Sequence, residues 1–78
     1  MKTMTCAQLG GACDTAFHAE TFQEMAALSQ VHARQMYAAD DSEHITAMAA
    51  MGVLMQQPEA LQAWMSEKQQ LFDSLPNT

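Results

Sequence analysis

The chain has little basic charge and no long apolar run. Lys and Arg together number 3 of its 78 residues, against 9 Asp and Glu, and the formal net charge is −6. A negative field of this kind repels a phosphate backbone and anionic lipid headgroups. We therefore expect no nucleic-acid partner and no membrane association, and no apolar run approaches the roughly 20 residues that a membrane span needs.

Cysteines are also few, and no Cys-x-x-Cys motif is present. The two cysteines are Cys6 and Cys13, and the residues before Cys6 lack the apolar stretch of a secretory signal. The expected compartment is the cytoplasm, where thiols are normally kept reduced. The cysteines are then expected to be free thiols, metal thiolates or a redox pair rather than a permanent disulfide.

Catalytic signatures are missing as well. The sequence shows no glycine-rich phosphate loop, no nucleophile with a neighbouring base and no paired carboxylates. We therefore predict that the protein is not an enzyme.

The residue pattern predicts an α+β fold, with a short two-stranded β-hairpin followed by three α-helices in a single compact domain (residues 1–78). The hairpin is predicted over residues 1–20. Threonines before Cys6 favour a strand, Gly10-Gly11 favours a turn, and Ala12 to Ala19 is predicted as the second strand. Two strands alone are barely stable in water, so we expect the hairpin to pack against the first helix.

The three helices are predicted at residues 21–38, 41–56 and 58–75. Thr21-Phe22-Gln23-Glu24 is a capping box at the start of the first helix. Pro58 suits the first position of the third helix. The short connection before Pro58 allows either an αα-hairpin or one long bent helix.

Apolar residues recur along the predicted helices, and the chain contains eight methionines. A domain this short buries only about 60% of the surface that its unfolded chain exposes, so it needs help from a metal, a disulfide or a second subunit. Methionines at helical spacing usually fill a core or line an adaptable contact surface. The alternative interpretation is that their thioethers bind copper(I). The leading prediction is a small cytosolic binding or interaction module that self-associates or binds a protein partner.

Cys6, Cys13 and His32 are the residues that suggest chemistry. Two thiolates and an imidazole could belong to a closed tetrahedral zinc site, which would also stabilise a short domain. Six residues separate the cysteines, whereas familiar structural sites have roughly two to four. His18, Asp14 and Tyr37 are candidates for a fourth ligand, although alternation along a strand places Cys13 and His18 on opposite faces.

Two other interpretations of these residues remain open. The cysteines are either small buried apolar groups or a thiol redox pair, which requires Cys6 and Cys13 to lie within disulfide reach. His32 is alternatively a half-buried helix residue bonded to a backbone group. His44, which lies among acidic residues near a helix start, is expected to be exposed and to have no catalytic role.

Three segments together carry a family resemblance: Cys6-Ala7-Gln8-Leu9-Gly10-Gly11-Ala12-Cys13-Asp14, Glu20-Thr21 and His32-Ala33-Arg34. They resemble the small prokaryotic proteins of the domain-of-unknown-function family DUF 1059, over roughly the first half of the chain. The resemblance implies a small soluble bacterial or archaeal fold and no established activity. Many members carry a second histidine where this chain has Tyr37, which in those proteins would complete a Cys2His2 set.

Overall fold

Two short strands pair antiparallel in the computed structural model, which describes residues 1–77. β1 spans Lys2–Thr5 and β2 spans Ala16–Ala19, with Met4 opposite Phe17 and Thr3 opposite His18. Because side chains alternate along a strand, Met4 and Phe17 face the core while His18 lies on the opposite, exposed face.

The second strand is shorter than predicted. The sequence predicts it from Ala12 to Ala19, but it begins at Ala16 because the preceding backbone bonds to residues that follow β1. Cys6 N–H donates to the carbonyl of Thr15, and Ala7 N–H donates to that of Cys13, each at 2.8 Å. A 3-10 turn lies between these bonds, so residues 6–15 form a structured loop, which we call the hairpin loop.

Three helices follow the sheet: α1 at Phe22–Ala38, α2 at Ser42–Met55 and α3 at Pro58–Ser74. The predicted α+β architecture, a two-stranded hairpin followed by three helices, is confirmed. α2 and α3 are separate helices that pack against each other, so the alternative of one long bent helix is wrong.

Side-chain caps determine where α1 and α2 begin. Thr21 Oγ1 accepts a hydrogen bond from Glu24 N–H at 3.1 Å at the start of α1. After α1, Asp40 adopts a left-handed conformation with φ of 58°, and Asp41 Oδ2 then accepts from His44 N–H at 3.0 Å. α2 therefore starts immediately beside the end of α1.

The buried core lies between the sheet, α1 and the last turns of α3. Met4 and Met25 are fully buried, and the rings of Phe22 and Phe72 meet edge to face with centroids 5.9 Å apart. α1 packs on β2 and α2 packs on α1, which gives one compact globule with a radius of gyration of 12.4 Å. In residues 1–77, none of the helices is long and apolar enough to cross a membrane.

Candidate metal centre

Four side chains meet where the hairpin loop faces α1 and α2. Cys6, Cys13, His32 and His44 each place one ligand atom within 4.8 Å of the other three. Cys6 Sγ lies 3.6 Å from His44 Nε2, and Cys13 Sγ lies 3.3 Å from His32 Nε2. We call this cluster the Cys2His2 group.

Reciprocal hydrogen bonds hold Cys6 at the end of β1. Thr5 N–H donates to Gln8 Oε1 at 2.8 Å, and Gln8 N–H donates to Thr5 Oγ1 at 3.2 Å. This is capping-box chemistry applied to the short 3-10 turn. It turns the chain sharply at Cys6, whose side chain is only 4% exposed.

Two adjacent glycines allow the hairpin loop to fold tightly around Cys6. Gly10 has φ of 91°, a conformation that L side chains rarely adopt. Gly11 N–H donates to the Cys6 carbonyl at 2.8 Å, and a Cβ at Gly11 would collide with Cys6 Sγ. The Gly10-Gly11 pair therefore lets the backbone pass over the Cys6 thiol on its way to Cys13.

Cys13 lies in a more polar environment than Cys6. Hydrogen bonding with the Thr15 side chain, at 3.2 Å, and with the Thr15 backbone lowers the pKa of Cys13 to about 6, and the His32 and His44 rings act in the same direction. Burial raises the pKa of Cys6. The group thus contains one thiol with a lowered pKa and one with a raised pKa.

His32 and His44 come from consecutive helices and contact each other. Their ring centroids are 5.3 Å apart at an interplanar angle of 77°, and the His32 ring also packs edge to face on Phe17, 5.4 Å away. Packing against a buried strand residue fixes the half-buried His32 ring above the two sulfurs.

The prediction that His44 is exposed is wrong. His44 is 5% exposed, and its Nδ1 lies 2.6 Å from Asp41 Oδ2. This hydrogen bond raises the pKa of His44 and lowers that of Asp41. The carboxylate also fixes the ring so that Nε2 faces Cys6, which is the carboxylate–histidine arrangement that supports metal ligands.

The geometry of the Cys2His2 group fits a tetrahedral metal ion. Zinc binds sulfur at about 2.3 Å and histidine nitrogen at about 2.0–2.1 Å, so its ligand atoms are about 3.3–3.8 Å apart. The two sulfur–nitrogen distances of 3.6 and 3.3 Å already match, and no ligand atom is more than 4.8 Å from another. Closing the set around one ion needs side-chain movements of only about 1 Å.

Among the residues that the sequence singled out, Cys6, Cys13 and His32 come together and His18 does not. His18 is exposed on the outer face of the sheet, where its Nδ1 lies 2.9 Å from Thr3 Oγ1. Asp14 and Tyr37 are also exposed and lie outside the group. The fourth position belongs to His44, twelve residues after His32 and on the next helix.

One sequence signal could have identified His44. An aspartate that caps a helix bonds to the backbone three residues later, and at that position this chain has a histidine, whose ring can bond to the same carboxylate. The Asp41-x-x-His44 spacing therefore predicts an imidazole that the capping carboxylate orients.

No family model matches the chain, and no curated protein or solved structure matches it significantly. The resemblance to the DUF 1059 family stays a prediction.

Proposed function

We propose that this protein binds one zinc ion through Cys6, Cys13, His32 and His44. The observation that supports this proposal most strongly is the convergence of two thiols and two imidazoles, from three separate parts of the chain, on one point. Thiolate sulfur and imidazole nitrogen are the donors that zinc prefers in structural sites.

The proposed role of the zinc is structural. Four protein ligands fill a tetrahedral shell, whereas catalytic zinc sites keep a position for water or substrate. The ligands also join the hairpin loop to α1 and α2, so a bound ion would cross-link these elements. A small core benefits from such a link, because the free energy of metal binding contributes to folding.

The test is zinc stoichiometry and affinity, measured by competition with a chromophoric chelator. Wild-type protein should bind one zinc per chain, and His32→Gln and His44→Gln should each weaken binding by at least about 100-fold, more than the loss of an outer-shell partner costs. His18→Gln is the matched control, since this histidine is exposed and lies outside the group. Unchanged affinity in His44→Gln would refute the assignment.

A thiol redox function is the second candidate, because both cysteines are free and their sulfurs lie within 4.8 Å of each other. In that reaction the Cys13 thiolate and the Cys6 thiol would form a disulfide, transferring two electrons to an external oxidant and releasing the one proton of the Cys6 thiol. Mild oxidation would then lower the mass by about two hydrogens, and Cys6→Ser would abolish the change. Under the zinc proposal, bound zinc protects both thiols from this oxidation.

Self-association and a cytoplasmic location stay predictions. Apolar side chains more than 40% exposed occur on all three helices, among them Val31, Val53 and Met65. Light scattering at micromolar concentration is the appropriate measurement: a dimer would support the predicted association, and a monomer alone would count against it.

A further inference from the structure

A cavity of about 490 Å³ lies where the hairpin loop faces the three helices. This volume is within the roughly 300–1,000 Å³ of small-molecule sites. We call it the helix cavity. On the α2 and α3 side it is lined by Met48, Met51, Met55, Leu61, Trp64 and Met65.

The floor of the helix cavity is the hairpin loop. A Cβ at Gly10 would lie 3.1 Å from Met51 Sδ and 3.2 Å from Trp64 Cζ2, so only glycine lets the loop approach these side chains without displacing them. Cys6 and His44 also line the cavity. The cavity therefore lies directly beside the Cys2His2 group.

The charge on the cavity wall is the reverse of the charge on the whole chain. Within residues 1–77, the lining includes Arg34, an exposed residue, and none of the Asp and Glu residues, although the net charge is −6. Arg34 Nε donates to the Gln30 carbonyl at 3.5 Å, and Arg34 takes part in no ion pair within residues 1–77. Within these residues, Arg34 is thus a cation without a carboxylate partner, beside a wall that is apolar and has no acidic residue. Such a cation is complementary to an anionic group of a ligand.

We propose that the helix cavity binds an amphiphilic small molecule with an aliphatic chain and one carboxylate. The chain lies against methionines, whose flexible thioether side chains adapt to different shapes. The carboxylate bonds to the Arg34 guanidinium, whose planar donors match it. This proposal does not depend on the metal centre, because Arg34 and the methionines that carry it are not zinc ligands, although Cys6 and His44 also line the cavity.

The experiment is a titration of the full chain, as purified, with decanoate. Trp64 is the only tryptophan and lines the cavity, so its fluorescence reports binding. 1-Decanol is the uncharged probe of the same chain length. We expect a saturable change with both, and binding of decanoate about 10-fold tighter than that of decanol, as one charge-assisted interaction would give.

Two charge variants isolate the role of Arg34. Arg34→Gln should raise the dissociation constant of decanoate about 10-fold and leave that of decanol unchanged. Lys2→Gln removes the same charge elsewhere, since Lys2 Nζ bonds to the Asp73 carbonyl at 3.1 Å and does not line the cavity. It should bind both probes as the wild type does.

A second pair of variants tests the cavity itself. Gly52 lines the cavity, and within residues 1–77 a Cβ there would meet no atom of a neighbouring element within 4 Å, so a side chain can begin there without a clash and improves helix propensity. Gly52→Leu should raise the dissociation constants of both probes about 10-fold or more, because the leucine fills the cavity. Gly52→Ala should keep most of the affinity for both probes.

Three results would overturn the proposal. The first is no saturable fluorescence change with either probe, and the second is equal loss of decanoate affinity in Arg34→Gln and Lys2→Gln. The third is that the protein is a dimer, that this dimer binds no decanoate, and that Gly52→Leu makes it monomeric. This result would mean that a second copy of the chain occupies the cavity.

Discussion

At the scale of single residues, Asp41 connects helix formation to the proposed metal centre. The same carboxylate oxygen accepts the His44 backbone N–H at 3.0 Å and lies 2.6 Å from the His44 ring. Because Nδ1 is engaged by Asp41, Nε2 is the nitrogen left to face Cys6. An N-cap, ordinarily a matter of helix stability alone, thus also orients a proposed ligand.

Asp41→Asn should weaken zinc binding by about 10- to 100-fold, the usual effect of losing an outer-shell carboxylate. Asparagine caps helices as well as aspartate, so α2 should remain intact. Asp40→Asn is the matched control, because Asp40 bears the same charge one residue earlier, and asparagine tolerates its left-handed conformation. Equal affinities of these two variants, measured by chelator competition, would contradict the role given to Asp41.

The two thiols of the metal-free protein should react with iodoacetamide at different pH. The pKa of Cys13 is lowered to about 6, so its labelling rate should rise through that pH and level off above it. The pKa of Cys6 is raised by burial, so Cys6 should label slowly throughout this range. Mass spectrometry of the labelled protein measures both rates.

Thr15→Val is the control for this prediction, because it removes the hydroxyl that stabilises the Cys13 thiolate. Its labelling midpoint should shift upward. Two cysteines that react equally, both with a midpoint near the ordinary cysteine pKa of about 8.5, would show that the environments differ from those described.

Residue types alone were enough to predict Cys6, Cys13 and His32 as candidate ligands, since they are uncommon and chemically distinctive. They were not enough for His44. Its acidic neighbours in sequence suggest a solvated residue, and its burial depends on how α2 packs against α1. Contact between helices is tertiary information that local spacing does not contain.

At the scale of elements, the hairpin loop determines whether the two sulfurs can meet. It crosses Cys6 at Gly11, where a Cβ would collide with the thiol. A side chain at this position must displace either the loop or Cys6.

Gly11→Ala should therefore lower zinc affinity about 10-fold or more and destabilise the fold by about 1–3 kcal/mol through overpacking. Gly52→Ala makes the same chemical change on α2, where there is open space. It should leave zinc affinity unchanged and stabilise the fold by about 0.5–1 kcal/mol through helix propensity. Chemical denaturation and zinc competition measure the two effects, and an equal response of both variants would count against the close approach at Gly11.

Elements with local signals were predicted well. The Thr21 cap and Pro58 lie at the starts of α1 and α3, and each signal acts within one turn of helix. The hairpin loop was predicted less accurately because its bonds join residues far apart in sequence, such as Cys6 and Thr15. Such bonds replace the strand pairing that the sequence predicts for residues 12–15.

At the scale of the whole molecule, the Cys2His2 group lies where the hairpin loop, α1 and α2 meet. In the part of the chain that the structure describes, the buried core consists of eight hydrophobic residues and centres on the sheet, α1 and Phe72 of α3. Among those residues only Cys6 belongs to the group, and none comes from α2. A zinc ion bound by His44 would therefore fasten α2 to the rest of the molecule.

Removal of zinc with a chelator at neutral pH should lower the thermal midpoint by about 10–20 °C, since a ligand at 100 times its dissociation constant stabilises by about 2.7 kcal/mol. The midpoint of His32→Gln should differ by no more than about 3 °C between zinc and chelator. Differential scanning calorimetry checks both. A wild-type midpoint that is the same with zinc and with chelator would rule out a structural metal.

The most direct test of the central claim is X-ray absorption at the zinc edge, on protein purified without tag metal and given one equivalent of zinc. The account predicts a four-coordinate first shell with two sulfurs at about 2.3 Å and two nitrogens at about 2.0–2.1 Å. A shell of nitrogen and oxygen alone, or protein that retains no zinc, would contradict it.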